Sequence, residues 1–293
     1  MGNRGDRRAE EAVTGKPGEV AVRAASPSLL RYFEIYSIMF RNSLIREMSF
    51  KANFLLWILV ELFWFLGQIV FIEVLFQYVH SLGDWTKWQV VLLVGTHQLI
   101  GQIFQAFFYV NVANIPELVR TGRMDFMLLL PMDTQFAVST RQFGLDNMIN
   151  GLVSVVIVGV ALAKLGLHPG VGQVLLYLVA VAFGVAVHYS VMFTLSVASF
   201  WIVRAQGLIY GYFSIFNIAR YPDAIFHGAF KFIFSWILPV ILVANVPSRL
   251  LMGTFLNSEP LPLLRLALAA LFVLAMSRAL WRLALAHYSS ASS

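Results

Sequence analysis

The pattern of apolar and polar positions divides most of the chain into long apolar runs. These runs cover residues 53–79, 89–112, 143–165, 173–202, 207–220 and 262–284. A helix needs about 20 apolar residues to cross a hydrocarbon core, and only helices or closed barrels pair all backbone groups there. Because the runs are continuous and do not alternate with polar residues, they favour helices over barrel strands. The pattern predicts an all-α polytopic membrane protein with six transmembrane helices.

The range 221–250 does not fit this pattern, because Lys231 and Pro239 interrupt its apolar residues. Two interpretations remain open from the residues alone. The range forms either a seventh span or two short helices that enter the membrane and return. Lys and Arg are distributed almost equally well for six and seven spans, so charge does not choose between them.

Three further segments flank the predicted spans. Residues 1–28 are polar, rich in Gly, Pro and charge, and lack the apolar core of a signal peptide. We therefore predict a disordered cytoplasmic tail. Residues 29–50 carry apolar side chains on one side at helical spacing, which predicts an amphipathic helix in the membrane interface. The transmembrane domain is predicted at 51–285, with a short C-terminal tail at 286–293.

Composition and charge support a membrane protein and set its orientation. Hydrophobic residues make up 59% of the chain and charged residues only 12%, whereas soluble domains carry about 25% charged residues. In a membrane protein, the net charge of +6 indicates the orientation of the chain and does not indicate a nucleic-acid-binding surface. With six spans, the distribution of Lys and Arg predicts that both termini are cytoplasmic. The absence of cysteine excludes disulfides and thiolate metal sites.

Several predicted spans carry polar residues, which are costly inside a membrane and usually face a cavity or another helix. The candidate translocation-path residues are Glu61, Gln68, His97, Gln98, Gln102, Gln105 and Asn217. The four of these that lie on the second helix share one face. They either line a route for a substrate or join helices by hydrogen bonds, and for Glu61 an Arg or His partner is the structural alternative. No spacing predicts a metal site.

The polar segment at 114–142 separates the second and third predicted spans and reads NIPELVRTGRMDFMLLLPMDTQFAVSTRQ. Pro116 suits the first turn of a short helix. Glu117 and Arg120 complement the helix dipole at its two ends, and Gly122 suits a C-terminal cap. These start and stop signals predict a short helix that lies across the cytoplasmic face.

With these features in order, the chain resembles the type-2 ABC exporter permeases over most of residues 30–285. The resemblance rests on the amphipathic helix, the segment IPELVRTGRMDFMLLLP, the short turn after the third span and RYPDAIFHGAFKFIFSWILPVILVANVPSRLL before the last. In the segment that corresponds to IPELVRTGRMDFMLLLP, a bacterial subgroup of the family has the pattern IP-x-LI-x-x-G-x-LD-x-x-LL-x-P. The matching residues of that pattern include Gly122, Asp125, Leu128, Leu129 and Pro131.

The resemblance implies a mechanism divided between chains. Residues 114–123 would form a coupling helix that docks on a cytoplasmic ABC ATPase subunit, and 221–250 would form a re-entrant helix pair on the outer side, which favours six spans. The ATPase-coupling residues would be Ile115, Pro116, Glu117, Leu118, Arg120, Gly122 and Asp125. The ATPase would bind ATP and Mg, and this chain, which lacks a G-x-x-x-x-G-K-[ST] motif, would hold no cofactor.

The family also implies a second permease chain, identical or different, a bacterial plasma membrane and outward transport. The scarcity of charge along the spans favours a hydrophobic or amphipathic substrate, lipid-like or drug-like. Two other functional classes remain as alternatives. A proton-coupled secondary transporter would use Glu61 or Glu73, but no inverted repeat is evident. A membrane enzyme would need a nucleophile–base pair, which the sequence does not suggest.

Overall fold

The computed structural model describes residues 29–49, 51–202, 206–254 and 261–288. Within these ranges the chain is helical and has no named strand, which confirms an all-α polytopic membrane protein. The predicted tail at 1–28 lies outside the described residues, as do residues 289–293 of the predicted C-terminal tail.

The helices follow the predicted apolar runs closely. The α-helices, numbered here in chain order, are α1 (Leu29–Ser49), α2 (Lys51–Tyr78), α3 (Lys87–Phe104), α4 (Ile115–Arg120), α5 (Met124–Leu128), α6 (Thr134–Thr140), α7 (Leu145–Leu165), α8 (Val171–Val197), α9 (Gln206–Phe216), α10 (Gly228–Phe232), α11 (Val240–Leu251) and α12 (Leu261–Ala286). A π-helical turn at Gln105–Tyr109 carries α3 on to Val112. We call the end with the α2–α3 loop the outer end, following the predicted orientation.

By length and composition, five helices among the described residues could cross a membrane, or six if one bent pair counts as a span. The five include α2, the extended α3, α7, α8 and α12. The predicted fifth span is shorter, since α9 ends at Phe216 and a 3₁₀ turn continues to Arg220. Its Phe213 packs on Tyr109, with ring centroids 5.2 Å apart, and Arg220 lies beside Leu75 near the outer end. This short helix therefore runs from the level of Tyr109 towards the outer end, and it is not among the five helices that could cross a membrane by length and composition.

The range 221–250 forms a bent pair in which α10 and its π-helical extension meet α11 at 82°. The break falls at Pro239, which has no N–H to continue a helix. The two ends of the segment meet, because Arg249 Nη2 lies 2.6 Å from Asp223 Oδ1. Arg249 also contacts Asp84 in the α2–α3 loop at 3.4 Å. The segment therefore starts and ends at the same end of the bundle, as the predicted re-entrant pair requires, and we keep that name for it; by length and composition alone the bent pair also passes as one broken span.

The helix α3 lies at the centre of the bundle and α2 at its edge. Of the most apolar stretch of each helix, 72% is buried for α3 and only 11% for α2. The core helices approach closely at Gly184 of α8, where a Cβ would lie 3.0 Å from Ile100 and 3.1 Å from the Val243 carbonyl oxygen. Between α2 and this core runs an open groove.

The predicted amphipathic helix corresponds to α1, and its side chains have mixed environments. Tyr36 and Phe40 pack edge-on against Phe143, with ring centroids 4.9 and 5.3 Å apart. Phe33 and Leu44 are exposed. Ser43 is buried and accepts a hydrogen bond from the Phe143 N–H. This packing attaches α1 to the start of α7, and its position in the membrane interface stays a prediction.

Candidate functional site

Three cavities follow one another along the groove between α2 and the core. The inner cavity has a volume of about 620 Å³, the middle cavity about 520 Å³ and the outer cavity about 430 Å³. The inner and middle cavities share Glu61 and Gln105. The middle and outer cavities share Phe63 and Trp64. The shared residues make the three cavities one series across the bundle.

The structure brings the candidate path residues to this groove from three helices. The middle cavity is lined by Glu61, His97, Gln98, Gln105 and Asn217, among others. The outer cavity is lined by Gln68, whereas Gln102 is fully buried behind the cavity wall. Their role in translocation stays a prediction.

Glu61 is half-buried on α2 and faces the polar side of α3. Its Oε2 accepts long hydrogen bonds from Gln98 Nε2 at 3.5 Å and Gln102 Nε2 at 3.4 Å. In the part of the chain that the structure describes, no cationic side chain lies within ion-pair distance of this carboxylate. Its partners are therefore neutral amides and not the Arg or His that the sequence offered as an alternative.

Two histidines line the middle cavity, and both are buried. The Nε2 atom of His97 lies 3.2 Å from the Phe216 carbonyl oxygen. Because a carbonyl oxygen only accepts, this nitrogen carries the proton and donates. The other nitrogen, Nδ1, is buried without a hydrogen-bond partner. His188 Nδ1 lies 3.4 Å from the Tyr212 hydroxyl oxygen. No group of three or more His, Asp and Glu suited to a metal occurs among the described residues.

The π-helical turn at Gln105–Tyr109 was not predicted from the sequence. It lies where the inner and middle cavities meet, since Gln105 lines both. Such turns insert a residue into an α-helix and occur often at functional sites. Nothing in the apolar pattern of this stretch distinguishes a π turn from an α turn.

At the inner end, α4 continues from α3 after only two residues and exposes an ion pair. Glu117 accepts two hydrogen bonds from Arg120, at 2.9 Å from Nε and 2.8 Å from Nη2. Ile115 and Leu118 lie on the opposite side of the helix and are buried. Gly122 follows with φ +70°, a left-handed conformation that glycine adopts without strain. The structure thus has a short helix where the sequence predicts one, with charge outward.

The rest of the segment is fastened to the bundle by side chains. Asp133 accepts a hydrogen bond from the Phe136 N–H and pairs with Arg278 of α12. Partial burial of Asp133 opposes its ionisation, but the bonds from Arg278 and the Phe136 N–H lower its pKa overall. Asn111 adds a two-way bond with the Gln142 backbone, donating to its carbonyl oxygen at 2.7 Å and accepting from its N–H at 2.9 Å.

Three other candidate residues lie away from the groove cavities. Glu73 of α2 forms an ion pair with Lys87, at 2.9 Å between Oε2 and Nζ, and its side chain is exposed. Asp125 lies in the first turn of α5, three residues after Gly122. Pro116 occupies the first turn of α4. The structure therefore separates Glu73 from Glu61 and keeps the coupling candidates in one segment.

A helical bundle with a mostly apolar groove that carries a few polar groups, and with a charged helix at one end, fits a membrane transport subunit. The family model described as ABC-2 family transporter protein matches residues 62–292. The chain belongs to this family and is a permease subunit of an ABC transporter, which confirms the resemblance found in the sequence. No curated protein and no solved structure matches the chain.

Proposed function

We propose that this permease is half of an ABC exporter that moves a hydrophobic or amphipathic substrate along the groove. The observation that carries the proposal is the series of three cavities joined at Glu61 and Gln105 and at Phe63 and Trp64. Aromatic walls and a few polar groups suit a lipid-like or drug-like molecule. The substrate would enter from the cytoplasmic side or leaflet and leave at the re-entrant pair.

A separate cytoplasmic ATPase would bind ATP and Mg and drive this movement by docking on α4. Glu117 and Arg120 are 41% and 64% exposed in their side chains, so their charges are available to a partner. The helix lies two residues beyond the end of α3, and α3 lines the middle cavity. A displacement of α4 would therefore be transmitted to the groove directly.

Charge reversal on α4 tests this coupling. We expect Glu117→Arg to abolish co-purification of the partner ATPase, because the variant places like charges beside Arg120 and Arg123. Glu34→Arg, at an exposed position on α1, is the matched control and should retain the ATPase. A purified Glu117→Arg complex with normal substrate-stimulated ATP hydrolysis would contradict the proposal.

A second permease chain, identical or different, would close the groove. The face of α2 that borders the groove includes Phe71, which lines the outer cavity and is exposed. Since the chain has no cysteine, a single Phe71→Cys substitution reports on this face. Oxidation should yield a cross-linked pair of permeases if α2 meets a second copy. A cross-link only to a co-expressed different permease would indicate a heterodimer.

A proton-coupled secondary transporter is the alternative that Glu61 supports. Glu73 contributes little to it, because its carboxylate is exposed and paired with Lys87. The two functions differ in energy source. Transport that stops when ATP is depleted and survives a protonophore favours the ABC exporter, and the reverse result favours the alternative.

A further inference from the structure

The middle cavity is lined by one carboxylate and by the neutral amides of Gln98, Gln105 and Asn217, with no basic side chain of Arg or Lys in its wall. We infer that it binds a protonated amine, so that the substrate of this permease is a cationic amphipath. The inference rests on the proposed function and narrows its substrate class.

The first observation is the carboxylate of Glu61. It lies within a span, its contacts are long hydrogen bonds from two glutamines, and no cation neutralises it in the part of the bundle that the structure describes. An ionised carboxylate inside a membrane requires a positive partner or a good set of donors. A ligand ammonium entering the cavity would supply both.

The second observation is independent of Glu61 and concerns His97. Only 5% of this residue is exposed, and it lines the same cavity. Its Nε2 donates to the Phe216 carbonyl oxygen, so in the neutral ring Nδ1 is an acceptor, and this Nδ1 has no hydrogen-bond partner. The buried side-chain oxygen Oε1 of Gln102, which donates to Glu61 behind the wall, is likewise unpartnered. Both of these unpartnered atoms are acceptors, and an ammonium group is a donor.

The third observation is the distribution of aromatic and charged residues around the cavity. Phe63, Trp64 and Phe216 form its apolar wall, and aromatic faces attract ammonium groups within about 6 Å. The inner cavity that leads to it carries the carboxylates of Glu47 and Asp146 in addition to Glu61, against the guanidinium of Arg46. The approach from the inner end is therefore net negative.

The positive charge at the other end of the groove belongs to Arg220. Its guanidinium lines the outer cavity and lies against Tyr221, with its carbon 5.2 Å from the ring centroid. Arg220 does not line the middle cavity. A cation would therefore be held at the depth of Glu61, between a negative inner approach and a positive outer cavity.

The test is direct binding to the full chain in lipid nanodiscs, with radiolabelled dodecylamine as the probe and empty nanodiscs as the background. Unlabelled dodecanol and laurate serve as neutral and anionic competitors with the same chain length. We expect saturable dodecylamine binding that laurate does not displace. Removing one partner of a buried charge pair is costly, so Glu61→Gln should weaken binding about tenfold or more.

Glu73→Gln is the matched control, because it removes a carboxylate from the same helix outside the middle cavity, and it should bind dodecylamine like the wild type. Glu61→Asp keeps the charge and should retain binding. If Glu61→Gln does not fold, Asn217→Asp decides instead: an added carboxylate in the cavity should tighten dodecylamine binding. Unchanged binding in Glu61→Gln or Asn217→Asp, or displacement by laurate, would overturn the inference.

Failure here is distinguishable from failure of the exporter proposal. Dodecylamine binding is measured on the permease without ATP or ATPase, whereas coupling is measured by ATPase co-purification with Glu117→Arg. If the permease binds its ATPase but does not bind dodecylamine, the exporter proposal stands and the inference of a cationic substrate is wrong.

Discussion

The inner and outer ends of the bundle are each fastened by an arginine, but in different ways. At the outer end, Arg249 bridges Asp84 and Asp223 and is only 19% exposed in its side chain. Its guanidinium also lies over the buried Trp85 ring, with its carbon 5.0 Å from the centroid. At the inner end, Arg278 pairs with Asp133, and both side chains are more than a third exposed. The outer fastening is the more buried of the two.

The surroundings of the two arginines extend this difference. The re-entrant pair is held by Asn245, a buried amide that bonds with the backbone of Tyr221 and Asp223. The segment at the inner end instead has exposed charged side chains on α4. Under the proposed function, an outer end that closes the exit would gain from buried bonds, and an inner end that receives the ATPase would need exposed charge. The comparison predicts a graded response to substitutions at the two ends.

The largest effect is expected at Asn245. Its side chain accepts from the Asp223 N–H at 2.9 Å and donates to the Tyr221 carbonyl oxygen at 3.1 Å. Asn245→Leu leaves these groups unsatisfied, and we expect the free energy of unfolding to fall by about 2–4 kcal/mol. The midpoint of thermal unfolding in detergent measures it. Ser248→Ala, which removes only a bond to its own helix, is the control and should have a smaller effect.

The second effect concerns Arg249. Arg249→Met removes the bridge between the α2–α3 loop and the re-entrant pair and leaves two carboxylates without it. Because the guanidinium is largely buried, we expect a loss of roughly 2 kcal/mol in unfolding free energy. Faster hydrogen exchange of α11, with exchange of α6 unchanged, would locate the effect at the outer end. Equal acceleration at both ends would contradict the comparison.

The apolar pattern predicts most of the fold, because long apolar runs have few alternatives in a membrane. Helix bounds differ from the prediction where side chains form hydrogen bonds with the backbone at the end of an apolar run. The third span begins at Leu145 and not at 143, since the backbone of Gln142 and Phe143 is tied to Asn111 and Ser43.

The candidate site is harder to predict from the sequence than the fold is. The shared polar face of α3 predicts that Gln98 and Gln102 point together, but not that they meet Glu61, which lies 37 and 41 residues earlier. That meeting depends on how α2 packs, and α2 is apolar nearly all round. The bend at Pro239 is foreseeable from the residue type, whereas the return of the chain to Asp223 depends on a contact with Arg249.

The third effect is expected at the inner end and should be smaller. Arg278→Met removes the partner of Asp133, but both side chains are partly exposed and water compensates for much of the loss. We expect about 1 kcal/mol in unfolding free energy. Exchange of α6 should accelerate while that of α11 stays constant. Arg282→Met, one turn further along α12 at an exposed position, should leave both unchanged; an equal effect there would mean that the Asp133 pair is not responsible.

The smallest effect is the response of the inner end to pH. Hydrogen bonds from Arg278 and the Phe136 N–H lower the pKa of Asp133 against the opposing effect of burial. A carboxyl group with a lowered pKa in the folded state stabilises the fold above its unfolded value of about 3.9. This contribution is lost as the pH falls through the folded pKa. Exchange of α6 between pH 5 and pH 3 should therefore accelerate beyond the intrinsic chemistry of the amides. Asp133→Asn, which cannot ionise, should remove this excess, and an excess that persists in this variant would assign the pH response to another group.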